Sequence, residues 1–169
     1  MLPSYKKSIQ GRVNALARAQ AALTQDRWAG ADLRALLEGE LTPFLDDGPA
    51  SGPKAMLEGP PVLLPAGAAQ PLAMAVHELA TNAVKHGALS TAAGRLTVSW
   101  RLGPGAADIP SLWLTWTETG GPPIEADPER RGFGSKVIAG TVCSQLNSRM
   151  SMTWNRSGLT CGIEMPLAG

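Results

Sequence analysis

Two pairs of strands, each joined by a connection too short to hold a helix, limit the folds open to this chain more than any other feature. Arg95-Leu96-Thr97-Val98-Ser99-Trp100 alternates as a strand does, and so does Leu112-Trp113-Leu114-Thr115-Trp116-Thr117, with Trp113 or Leu114 facing the core depending on register. Between them lies a Gly- and Pro-rich linker, Gly103 to Pro110. A second pair falls around Ser151 to Trp154 and Leu159 to Met165, joined by Asn155-Arg156-Ser157-Gly158. Parallel neighbours would need helical crossovers here, and none fits, so both pairs read as antiparallel hairpins. Helical patterns over 68–87 and 134–146 separate the strands. Helices interrupted by strand pairs predict an α+β fold, a two-layer α/β sandwich with a mixed, mostly antiparallel sheet, rather than a doubly wound parallel one.

The N-terminal part reads as two helices. Ile9, Val13, Leu16 and Ala17 recur at helical spacing in the first; after a break at Trp28-Ala29-Gly30, Leu33, Leu36, Leu37 and Leu41 form a second stripe, with Asp32 suited to its N-terminus. These leucines either support a weak homodimer or fold back on the sandwich. The stretch from Asp46 to Pro61 reads as turns with one short strand around Ala55 to Leu57, and Pro61 to Pro65 as another. Fifteen basic and 14 acidic side chains leave a net charge of +1, which argues against nucleic acid or an anionic membrane as partner. No run has the length of a membrane span or the core of a signal peptide, so a cytoplasmic location without membrane contact is expected. Cys143 and Cys161 lie among apolar residues without metal-ligand spacing and are expected to be buried free thiols.

Candidate chemistry begins on the helix at 68–87. Leu72, Val76, Leu79 and Ala83 follow the apolar period, while Glu78, Asn82 and Lys85 stand at i, i+4 and i+7 on another face, with His86 beside them. A carboxylate, an amide oxygen and a cation so placed suit Mg²⁺ and the phosphates it carries: Asn82 as direct ligand, Glu78 through water or as the group that polarises a nucleophile. A solvated helix face with a polar pair is the plainer alternative. Zinc is disfavoured, because Thr81 stands where H-E-x-x-H needs histidine, and His77 and His86 point about 180° apart on an ideal helix. A second signal is Trp116-Thr117-Glu118-Thr119-Gly120-Gly121-Pro122, where Glu118 suits an exocyclic amine such as that of adenine and Gly120 and Gly121 permit close approach. The competing reading there is an exposed acid in a turn. A third is Arg131-Gly132-Phe133-Gly134-Ser135 opening a helix, whose glycines and N-terminal amides suit phosphate.

In this order the three elements resemble the Bergerat (GHKL) ATP-binding fold shared by sensor histidine kinases, gyrases and MutL proteins. The closer resemblance is to the HWE subfamily of histidine kinases, marked by a histidine in the N box and W-x-E in the first glycine box. Those are His77 within His77-Glu78-Leu79-Ala80-Thr81-Asn82-Ala83-Val84-Lys85-His86-Gly87, and Trp116 with Glu118; the second glycine box corresponds to Gly132-Phe133-Gly134. Arg12 to Gln20, Trp28 and Ala31-Asp32-Leu33 are similar to the second helix and following segment of the family's dimerisation and phosphotransfer region. The resemblance implies ATP and Mg²⁺ as cofactors, with Glu78 and Asn82 catalytic and Asn82 ligating Mg²⁺. It also implies a nucleotide site formed by Asn82, Lys85, His86, Glu118, Gly120, Gly121, Arg131, Gly132, Phe133 and Gly134. Glu118 would replace the more usual aspartate as reader of the adenine amine, Arg130 and Arg131 would lie near the phosphates, and His77 would fix the pocket wall or Glu78 by hydrogen bonding.

The resemblance further divides the chain into a partial helical dimerisation segment at 1–47 and an ATP-binding catalytic domain at 48–169. Such a kinase carries a phosphoacceptor histidine on an earlier helix, and the stretch before Arg12 contains no histidine. A fragment cut after the acceptor helix is therefore expected in preference to a naturally partial kinase. The expected function is a catalytic domain presenting the γ-phosphate of Mg-ATP to a histidine supplied elsewhere, with a response regulator as the downstream partner. An interaction module that docks a response regulator, and an ATPase or protein-serine kinase on the same fold, are the alternatives.

Overall fold

The computed structural model describes residues 31–45, 53–124, 140 and 144–167. In chain order these form β1 (Ala31–Asp32), α1 (Leu33–Leu45), β2 (Ala55–Glu58), β3 (Leu63–Leu64), α2 (Ala69–His86), a 3₁₀ turn at Ala88–Ser90, β4 (Arg95–Pro104), a second 3₁₀ turn at Ala106–Asp108, β5 (Pro110–Thr119), β6 (Arg149–Asn155) and β7 (Gly158–Pro166). The helix expected around Ile9 to Ala17 and most of that over 134–146 lie outside the described residues.

Five strands make one sheet in the order β2-β4-β5-β7-β6. β2 runs parallel to β4, and the other neighbours are antiparallel, so the sheet is mixed and mostly antiparallel as the hairpin argument requires. Period-two alternation sets which side chains face inward: Leu96, Val98 and Trp100 from β4, Leu112, Leu114 and Trp116 from β5, and Leu159, Cys161, Ile163 and Met165 from β7 are buried. Leu114 therefore takes the core position, and Trp113 lies on the opposite face, where the Arg101 guanidinium stands 4.8 Å from its ring centre. The first hairpin is longer than its apolar pattern suggested. Pairing continues through Gly103↔Ser111 and Pro104↔Pro110, because backbone pairing runs on beyond the last apolar side chain until the turn at Ala107 and Asp108, both at positive φ, reverses the chain.

The helices supply the second layer. Leu72, Val76, Leu79 and Ala83 of α2 are all buried in the same core as the inward strand residues. α1 starts where Asp32 accepts the Ala35 amide at 2.9 Å, a side-chain cap on an otherwise unpaired N–H. Its Leu33, Leu36, Leu37 and Leu41 are buried in that core too, so of the two fates open to these leucines the fold takes the second: they pack back on the sandwich. Arg34, on the same helix, reaches the carbonyls of Leu57 and Gly59 and stands 5.1 Å over the Trp100 ring, tying α1 to the β2 end of the sheet.

Leu37 is fully buried, so Leu37→Ala in the whole chain is expected to cost about 2–5 kcal/mol in urea unfolding. A loss below about 1 kcal/mol would contradict the packing of α1 on this core.

Candidate functional site

The N-box residues occupy the second half of α2, and helical geometry spreads them over a gradient of depth. Glu78 lies inward at 4% exposure, Asn82 one turn later is half-buried, and Lys85 and His86 in the last turn are exposed. The solvated-face alternative thus fails for Glu78, whose carboxylate is inside the fold. The two basic residues sit where a helix C-terminus favours positive charge. The helix ends at Gly87, whose amide donates to the Ala83 carbonyl at 3.0 Å, and the chain turns at once into Ala88–Ser90.

Glu118 comes to this same turn from the sheet. It is the last inward-facing residue of β5 and is 5% exposed, so the exposed-turn alternative fails here as well. Its Oε1 accepts the Ala88 amide at 3.1 Å, and its Oε2 accepts the Trp116 indole N–H at 3.3 Å. A methyl group on Gly87 would lie 2.2 Å from Oε1, so a side chain there would displace the carboxylate from this position. Gly120, at φ +75°, and Gly121 close the same junction: side chains there would meet the Ala93 carbonyl at 2.6 Å and the Ala88 amide nitrogen at 2.8 Å. The close approach these two glycines make is to the chain's own backbone. Thr91 strengthens it by donating its hydroxyl to the Gly120 carbonyl at 2.8 Å.

His77 makes a different link. Its Nδ1 lies 3.3 Å from Oε2 of Glu40, a carboxylate only 2% exposed on α1. The acid it meets belongs to the preceding helix rather than being its neighbour Glu78. Glu40 was missed from sequence, as was Ala88, whose contribution is a backbone amide. The Trp116 contact had a signal, because residues at i and i+2 share one face of a strand. Arg130, Arg131, Gly132, Phe133 and Gly134 lie outside the described residues, as does Cys143. Cys161 is buried beside Trp116 in register, and burial together with the Glu118 charge pushes its thiol up to about 12, leaving it protonated at neutral pH. On the open face of the sheet a hollow of about 590 Å³ lies over Gly162 between Arg101, Trp113, Arg149 and Glu164, and includes none of the predicted site residues.

With α2 and β5 joined in this way, comparison with known proteins becomes informative. The family model for HWE histidine kinases matches residues 1–61. That stretch ends before His77, so the match and the motif residues are separate observations. The blue-light-activated histidine kinase of Rhizobium johnstonii is 39% identical over 165 residues, 98% of this chain and 45% of that protein. The chain belongs to the HWE histidine kinase family. A protein of the same description from Brucella ovis is 30% identical over 156 residues, 92% of this chain and 31% of the relative. The chain thus spans less than half the length of these relatives. Among solved structures, the Erythrobacter litoralis EL346 blue-light activated histidine kinase superposes with a TM-score of 0.71 at 21% identity, covering 98% of this chain and 50% of that one. The catalytic domain of the histidine kinase ThkA gives 0.56 at 12% identity, with 80% and 94% covered. At such identities the likeness speaks for the fold, and the fold is the Bergerat (GHKL) sandwich of histidine kinase catalytic domains.

Burial raises the Glu118 carboxyl above its ordinary 4.5, against the opposing pull of the Ala88 and Trp116 donors. The folded chain then binds this proton more tightly than the unfolded one. Its contribution to stability is complete below the unfolded value and is lost as pH rises through the folded one. The unfolding free energy of the wild type minus that of Glu118→Gln is therefore expected to fall between pH 4.5 and neutrality in denaturant titrations. A difference that stays flat or grows would contradict the desolvated carboxyl.

Proposed function

We propose that this chain is the ATP-binding catalytic part of a histidine kinase, which offers the γ-phosphate of Mg-ATP to a phosphoacceptor histidine on another helix. The observation that supports it best is the Ala88–Glu118 hydrogen bond, which gathers a buried acceptor and the Asn82, Lys85 and His86 end of α2 around one junction.

The donor set suits the cofactors. Mg²⁺ takes oxygen ligands, keeps several waters and is shared with phosphates, so one protein amide oxygen with a nearby carboxylate is enough for it. Asn82, half-buried, would supply the direct oxygen, with Glu78 one turn deeper acting through water. When bound, the metal offsets charge on the phosphates. Lys85, exposed at the end of α2, adds positive charge there with His86 beside it as a hydrogen-bonding group, and Arg131 with Gly132, Phe133 and Gly134 is assigned to the far side of the phosphates. Each Glu118 oxygen uses one lone pair on an internal donor and keeps another for the adenine exocyclic amine. The phosphoryl group would pass from ATP to the acceptor imidazole nitrogen, with ADP leaving.

We also assign residues 1–47 to the dimerisation and phosphotransfer region, with α1 at its end packed into the core of the sandwich, and residues 48–169 to the catalytic domain, with a response regulator as the later recipient. Among the described residues no helix is long and apolar enough to cross a membrane, which is compatible with a cytoplasmic location.

Asn82→Ala is expected to abolish the gain in ATP-analogue affinity that Mg²⁺ confers on the wild type, in calorimetric titrations with and without the metal. Wild-type Mg²⁺ dependence in that variant would remove Asn82 from the metal site. For the reaction itself, the chain mixed with labelled ATP and a separately prepared acceptor-helix protein should yield an acid-labile label. An acid-stable label would point to serine or threonine instead, and no saturable ATP binding would sink the proposal.

A further inference from the structure

We infer that Trp116 is a positioning residue for nucleotide-base selection: its indole N–H, together with the Ala88 amide and the space left by Gly87, orients the Glu118 carboxylate toward an exocyclic amine. The inference rests on the adenine reading of Glu118 given above and adds what makes that reading workable with a glutamate.

A glutamate has one more torsion than an aspartate, so its carboxylate reaches further and has more orientations to lose on binding a ligand. Here two donors at defined places remove that freedom. Oε1 is held by a backbone amide at the end of α2, and Oε2 by an indole on its own strand. With one oxygen on each donor, both the reach and the plane of the carboxylate are set.

The indole is itself immobile. Trp116 is fully buried, and in the central strands its backbone is in register with Val98 of β4 on one side and Cys161 of β7 on the other. Packing fixes the ring, and the ring fixes the direction of the N–H. The spacing of two residues is required, because only i and i+2 place both side chains on the inward face of β5. Gly87 completes the seat from the helix side, where a Cβ would stand 2.2 Å from Oε1 and 3.2 Å from the carboxyl carbon. A phenyl ring at 116 would leave part of the indole's volume empty and Oε2 without its donor inside a desolvated site.

The test compares two nucleotides on the full chain: ATP, and purine riboside triphosphate, which lacks the 6-amino group. Trp116→Phe keeps an aromatic ring, though a smaller one, and removes the N–H. It is expected to weaken ATP binding about tenfold while leaving the amine-less analogue unchanged, so that discrimination between the two is lost. A role confined to packing would weaken both equally, and that result overturns the inference. Gly87→Ala, which disturbs the carboxylate from the opposite side with the indole intact, should lose discrimination in the same way; if it keeps wild-type discrimination, the seat is wrong. A readout needing no variant is the Trp116 indole N–H resonance of the wild type. Slow hydrogen exchange and a shift on adding ATP but not the analogue are expected, whereas rapid exchange with solvent overturns the bond. Glu118→Leu, which removes both acceptor oxygens, separates the two levels of the argument. If it retains discrimination, the adenine reading fails. If it loses discrimination while Trp116→Phe retains it, the inference about Trp116 fails alone.

Discussion

The hydrogen bond from the Ala88 amide to Glu118 is the constraint on which the rest of this arrangement depends. Ala88 is the first residue past the glycine that ends α2, and Glu118 is the last inward residue of β5, so one contact locks the helical layer to the sheet. A buried carboxylate is costly unless its oxygens are satisfied, and the fold meets that cost with the Ala88 amide on one oxygen and the Trp116 indole on the other. Gly87, Gly120 and Gly121 then allow main-chain segments to come close enough for that contact, at distances that side chains would forbid. The result is a polar junction at one edge of an apolar core.

The same layer is held at a second place by α1. Four leucines from this helix enter the common core, and around them Arg34 reaches toward β2 and Trp100 while Glu40 meets His77. The pair of residues that names the W-x-E motif and the histidine of the N box therefore do different mechanical work. Trp116 and Glu118 bind sheet to helix at the candidate base site, and His77 binds the helix carrying Glu78 and Asn82 to the one before it. Displacement of α1 would act on α2 through this contact, since both side chains are held between the two helices.

Much of the fold was legible because short-range pattern and long-range packing agree. Alternation over 95–100 and 112–117 marked an antiparallel hairpin, and Leu33, Leu36, Leu37 and Leu41 marked the buried face of a helix, as the core bears out. Hairpin ends were less legible, because Gly103 and Pro104 pair through the backbone without a side-chain signature. For the site, the one-dimensional pattern brought Glu78, Asn82 and Lys85 onto one side of a helix but did not tell their depth. Glu78 looked like part of a polar face and is buried, since depth depends on what covers the helix, and that covering is contributed by residues far away in the chain.

From its sequence alone this chain is a strand-pair sandwich with an N-box helix, a W-x-E strand and the family resemblance those motifs carry, because periodicity and motif spacing are properties of neighbouring residues. The tertiary structure alone decided that Glu118 turns inward onto Ala88, that the N-box histidine meets Glu40, and that the N-terminal leucines cover the sandwich. Each of these joins residues at least 30 positions apart or sets how deeply a residue lies, and only the folded chain brings such partners within hydrogen-bond reach.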